Sequence, residues 1–146
     1  MLKQRDLKPG NHIRFYGLEA IVITNESDKF RFKWGGLHRG PYPILTFDGK
    51  IPEAEGIPLT ELWLGTESWL AFFGLEEESI VTGELIKKLP DGRMVRFADY
   101  MGGYQALIDD VEPVYLLYVH EYQNWWFSIT GEGLTEKILT NQNIAT

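Results

Sequence analysis

Residues 29–34 read Lys-Phe-Arg-Phe-Lys-Trp, a strict alternation with Phe30, Phe32 and Trp34 at one parity and Lys29, Arg31 and Lys33 at the other. Successive side chains of a strand point to opposite faces, so this hexapeptide can bury three aromatics together only as a β-strand with one dry and one wet face. A helix would place Phe32 on the side opposite Phe30 and Trp34. A half-buried strand needs partners, and two apolar runs precede it. Pro9-Gly10-Asn11 is turn chemistry, Gly17 separates the first run from the second, and Asn25-Glu26-Ser27-Asp28 separates the second from the third. The sequence therefore predicts an antiparallel β unit over 1–47, either a strongly bent sheet or a small barrel-like one.

Residues 35–58 hold Gly35, Gly36, Gly40, Pro41, Pro43, Pro52 and Pro58, with only Ile44-Leu45-Thr46-Phe47 resembling a strand. Connections of this length tend to be functional or mobile, and this one carries His38, Arg39 and Tyr42, either a candidate ligand-facing group or simply solvent-exposed. A helix is predicted over 59–74, with Thr60 as N-cap, Glu61 in the first turn and Gly74 at its end; Gly65 interrupts it. A β-meander follows over 79–108. Pro90-Asp91-Gly92 is its strong turn, Met101-Gly102-Gly103 a weaker one, and Met94 and Arg96 alternate with Val95 and Phe97 between them. A last helix is predicted over 113–131, opened by Pro113 behind Asp109, Asp110 and Glu112 and closed by Gly131. The whole is one α+β domain of 146 residues, its C-terminal aromatic helix packed on a sheet.

With 44% hydrophobic and 14% aromatic residues the chain can form a packed core, and its lack of cysteine excludes disulfides, thiol nucleophiles and thiolate metal sites. No apolar run approaches the roughly 18 residues of a membrane span, and none follows the basic N-terminus as a leader would require. The expectation is a cytoplasmic protein without a membrane partner. The net charge of -7 disfavours nucleic acid, although it is unevenly spread. Residues 1–40 carry eight Lys/Arg against four Asp/Glu, or +4, and residues 41–146 carry six against seventeen, or -11. The Lys29, Arg31 and Lys33 face is the candidate anion-facing surface.

In the C-terminal segment, His120-Glu121 is followed by Asn124 where the zinc-protease motif has its second histidine. Asn is a poor zinc donor and a catalytic zinc needs three protein ligands, so no metal is expected. Helical spacing gathers Tyr115, Val119, Tyr122, Trp126 and Ile129 on one apolar face, with His120 and Asn124 at its margin and Gln123 beside it. These three form either a hydrogen-bonded core edge or a polar ledge beside an aromatic pocket. Trp125 projects away from the stripe, as an aromatic at a subunit interface would. No nucleophile elbow, phosphate-binding loop or cofactor-binding pattern is present, and the acidic groups Asp109-Asp110 and Glu76-Glu77-Glu78 read as solvated charge.

Three segments, Asp6 to Gly17, Gly56 to Leu64 and Tyr118 to Leu134, resemble in the same order a family of short proteins encoded in gut-type Bacteroidetes genomes and their phages or mobile elements. Tyr118, Val119, His120, Gln123, Asn124, Phe127, Thr130 and Gly131 match the last motif. The middle motif departs from the family pattern: residues 64–68 are extra before Trp69-Leu70, and Leu75 stands where Phe is usual. The family offers no activity to carry over. Four readings result: a non-catalytic, homo-oligomeric interaction protein of phage or mobile-element type; a protein sequestering a small anionic, nucleotide-derived signal with Trp34, Arg39, His120, Gln123, Asn124 and Trp125; a nucleic-acid binder through Lys29, Arg31 and Lys33; and, last, an enzyme without a visible motif.

Overall fold

A computed structural model describes residues 2, 4–15, 17–26, 29–34, 45–48, 54–63, 65–74, 77–78, 85–109 and 111–136. Arg39 and its neighbours His38 and Tyr42 lie outside these residues. The fold is α+β and built mainly of antiparallel sheet, and it divides after Ile57 into two compact units.

The first unit is a five-stranded sheet of β1 (His12–Phe15), β2 (Leu18–Glu26), β3 (Lys29–Trp34), β4 (Leu45–Asp48) and β5 (Ala54–Glu55). The order is β4-β3-β2-β1-β5, antiparallel throughout, so the sheet is open with β4 and β5 at its edges. The turn before β1 follows its sequence: Asn11 N–H donates to the Lys8 carbonyl at 3.0 Å and Gly10 takes φ +92°, a value its missing side chain permits. Phe30 and Phe32 are buried as the alternation requires, Phe32 meeting Phe15 edge-on at 4.2 Å, and Arg31 and Lys33 face outward. Each fully buried phenylalanine contributes roughly 1.5–3 kcal/mol of transfer free energy, which makes this face the unit's core.

The second unit begins with the hairpin β6 (Leu62–Trp63) and β7 (Glu67–Ser68), then α1 (Trp69–Phe72). The helix expected over 59–74 is thus a hairpin and one helical turn. Gly65, at φ +76°, turns the chain back on itself, and the N-cap is Ser68, whose hydroxyl accepts the Ala71 N–H at 3.0 Å. Gly74 does close the helix, at φ +77°.

The main sheet of this unit comprises β8 (Glu77–Glu78), β9 (Leu85–Lys88), β10 (Met94–Tyr100), β11 (Gly103–Ile108) and β12 (Val114–Leu116), in the order β12-β11-β10-β9-β8. The Pro90-Asp91-Gly92 turn joins β9 to β10, and the Asp91 carboxylate accepts the Arg93 N–H at 3.0 Å. That bond, with the guanidinium beside it, holds the Asp91 carboxyl below its ordinary range. The last helix, α2 (Val119–Thr130), starts six residues later than Pro113 suggested. Val114-Tyr115-Leu116 pairs with β11 instead, because a β-branched and aromatic tripeptide behind a proline suits an edge strand. The end is as expected: Gly131 at φ +75° donates to the Phe127 carbonyl at 2.8 Å.

Candidate functional site

Sheet register assigns each side of the second sheet. Val95, Phe97, Ala106 and Leu116 share the buried face, and α2 packs there, with Phe97 and Tyr122 rings 5.4 Å apart and edge-on. Val119, His120, Tyr122 and Trp126 are the buried residues of α2. Tyr122 is central, meeting Phe73 at 6.0 Å and Trp126 at 6.5 Å. Its hydroxyl is buried with no hydrogen-bond acceptor among the described residues, and burial pushes its pKa far up.

An orphaned buried hydroxyl costs stability, so Tyr122→Phe is expected to stabilise the protein by about 1 kcal/mol, read by urea denaturation at neutral pH. The pH dependence follows from the same burial. A tyrosine whose folded pKa is raised leaves stability unchanged below its ordinary value of about 10 and loses it as pH rises beyond that. The phenylalanine variant is expected to lose that part of the alkaline decline.

Of the candidate site residues read from the sequence on α2, His120 alone is buried by this packing. His120 is 4% exposed and its ring lies parallel to Tyr118 at 5.8 Å. Gln123 and Asn124 are half-buried and both are engaged by neighbours in the fold. Trp125 is half-buried with its ring 6.4 Å from Tyr122. Glu121, in the position of a protease general base, does something else. One of its oxygens accepts the backbone N–H groups of Leu117 at 2.9 Å and Tyr118 at 3.0 Å, which caps the first turn of α2. Among the described residues no group of three or more His, Cys, Asp or Glu is placed to hold a metal ion.

The basic strand lies in the other unit. Lys29 stands in register between Glu26 and Asp48, and Arg31 between Thr24 and Thr46, so acidic residues flank the first of these cations and neutral ones the second. Trp34 is the last residue of β3, in register with Ala20.

A cleft of about 410 Å³ opens beside α2, lined among others by Lys87, Lys88, Trp126 and Glu132. Lys87 is 7% exposed. Its ammonium donates to the Phe73 carbonyl at 3.2 Å and the Gly74 carbonyl at 2.9 Å and lies 5.1 Å from the centre of the Trp126 ring. It thereby closes the C-terminal end of α1, where the last carbonyls lack helical partners. Lys87→Met keeps the stem and removes the donor, and is expected to cost about 2 kcal/mol in chemical denaturation.

The opposite face of the sheet is uncovered among the described residues. By register Met94, Arg96, Ala98 and Tyr100 of β10 share it with Gln105 and Leu107 of β11 and Tyr115 of β12, and none of these seven is fully buried. Met94, Tyr100, Met101 and Tyr115 are four of the eight large hydrophobics exposed among the described residues, and all four lie on this face or at its hairpin tip. Tyr100 and Tyr115 meet edge-on at 5.5 Å, and the Tyr115 hydroxyl donates to the Met101 carbonyl at 2.6 Å. The sequence signal for this patch is the alternation of Met94 and Arg96 with Val95 and Phe97. That pattern marks two faces without telling which one a helix covers.

No protein-family model, curated protein or solved structure matches this chain. Among the described residues no helix is long and apolar enough to cross a membrane.

Proposed function

We propose that this chain is a non-catalytic interaction protein, of the phage or mobile-element kind its three sequence segments resemble, working in the cytoplasm of a bacterial host cell. The open face of the second sheet is its contact surface. The supporting observation is the concentration of Met94, Tyr100, Met101 and Tyr115 there, with Arg96 among them. Exposed apolar side chains are ordinary when scattered, whereas a single sheet face and its tip carrying two methionines, two tyrosines and an arginine have the composition of a protein contact.

A second reading, sequestration of a small anionic ligand, draws on the cleft where the Lys87 ammonium lies beside the Trp126 ring. Native mass spectrometry of the protein purified gently from cells separates the two. A bare multimer or a complex with another protein is the outcome expected of an interaction protein. A single chain carrying a few hundred daltons of extra mass, lost on denaturation, would overturn that reading in favour of sequestration.

A further inference from the structure

The turn between β10 and β11 contains a costly choice. Met101 and Gly102 are its two central residues, at φ +46° and +85°, the signs of a turn that favours Asn-Gly or Gly-Gly. Met101 is the sole non-glycine with positive φ among the described residues, and its side chain is not buried in compensation: the residue is 80% exposed. Local strain of this kind persists where surrounding structure enforces it and gathers at contact and ligand sites. The Tyr115 hydroxyl supplies the enforcement, donating to the Met101 carbonyl at 2.6 Å. A flexible thioether is thus held outward on a pinned backbone beside two tyrosine rings, an arrangement suited to filling an apolar hollow in a partner.

The charges of the open face suit a second copy as the partner. The chain carries a net charge of -7, so two copies repel over most of their surfaces. The open face has both signs: Arg96 projects from it, and Asp109, 93% exposed by side chain, lies at its margin with a carboxylate oxygen 4.0 Å from the guanidinium. A contact about a two-fold axis uses the same patch twice and must therefore be complementary to itself, which a patch bearing both signs can be. The five strands hold two, four, seven, six and three residues, which at about 3.4 Å per residue and about 4.8 Å between strands gives a face of roughly 360 Å². With the tip added, it is about half of the roughly 800 Å² per partner of a standard interface, the size of a weak, reversible contact.

We propose that a second copy of this chain packs on the open face of the second sheet about a two-fold axis, with Met101, Tyr100 and Tyr115 as anchors and the arginine of each copy facing the Asp109 carboxylate of the other. This rests on the reading of that face as the contact surface. Sedimentation of the full chain from about 1 μM to about 100 μM spans the range in which a modest interface dissociates. The wild type is expected to dimerise, and Met101→Asn, which suits the turn, to weaken the dimer at least about tenfold. Arg96→Asp and Asp109→Arg are each expected to weaken it too, and mixing these two variants to restore it. Restoration must come from across the interface, because within each variant the two positions carry like charges.

A dimer indifferent to all three substitutions overturns the proposal. A wild type that stays monomeric overturns it as well, and hydroxyl-radical labelling then decides the wider reading. Protection of Met94, Tyr100 and Met101 in native cell extract relative to buffer leaves the contact surface standing with a different macromolecule on it. Equal labelling in both removes the contact surface along with the dimer.

Discussion

Gly103→Ala is expected to destabilise the second unit by about 3 kcal/mol, the upper end of ordinary overpacking. A Cβ at this position would lie 2.5 Å from the Leu116 carbonyl oxygen, 3.2 Å from its carbon and 3.1 Å from the Leu117 Cα. All three atoms are backbone, so no side chain can rotate away, and relief requires β12 to move off β11. Amide exchange should therefore accelerate at Tyr104 and Ala106, which pair with Leu116 and Val114. The adjoining Gly102 is the control. It has φ +85° but nothing within 4 Å of the position a Cβ would take, so Gly102→Ala is expected to cost only the conformational penalty, about 1 kcal/mol. Equal losses at the two positions would contradict the close approach of β11 and β12.

Trp69→Ala is expected to cost about 3–5 kcal/mol, the usual range for removing a large buried aromatic. The indole is 1% exposed and meets Phe72 at 5.5 Å, Phe73 at 5.9 Å and Trp63 at 6.4 Å. The one-turn α1 holds few hydrogen bonds of its own, so it depends on this cluster for its position. Urea denaturation followed by the fluorescence of the remaining tryptophans measures the loss. A cost below about 1 kcal/mol would mean that the rings do not form the core of this unit.

Local signals served well where they were self-sufficient. The Phe30 and Phe32 alternation, the Pro9-Gly10 and Asp91-Gly92 turns and the closing Gly74 and Gly131 each act within a few residues, and each is seen in the fold. Signals that depended on tertiary context misled. Thr60 has an N-cap side chain, but its hydroxyl donates to the Gly102 carbonyl at 3.4 Å, and Gly65 makes a hairpin of what resembled a helix. Pro113 suits a first helical turn as well as an edge strand, and the neighbouring β11 decided in favour of the strand. Among the candidate site residues, helical spacing places His120, Gln123 and Asn124 near one another on α2, whereas the burial of His120 alone among them depends on what α2 packs against. The open face was the least legible feature. Its members come from three strands, and only register and the side chosen by α2 bring Met94, Tyr100 and Tyr115 together.

If Met101 is retained at a strained turn because a partner uses it, stability and association should move in opposite directions when it is replaced. The most direct measurement pairs two readings on one Met101→Asn sample, thermal unfolding and sedimentation. Relief of the strained backbone is expected to raise stability by about 1 kcal/mol while self-association falls. A variant that associates as the wild type does, with stability unchanged or lowered, would contradict that role for Met101.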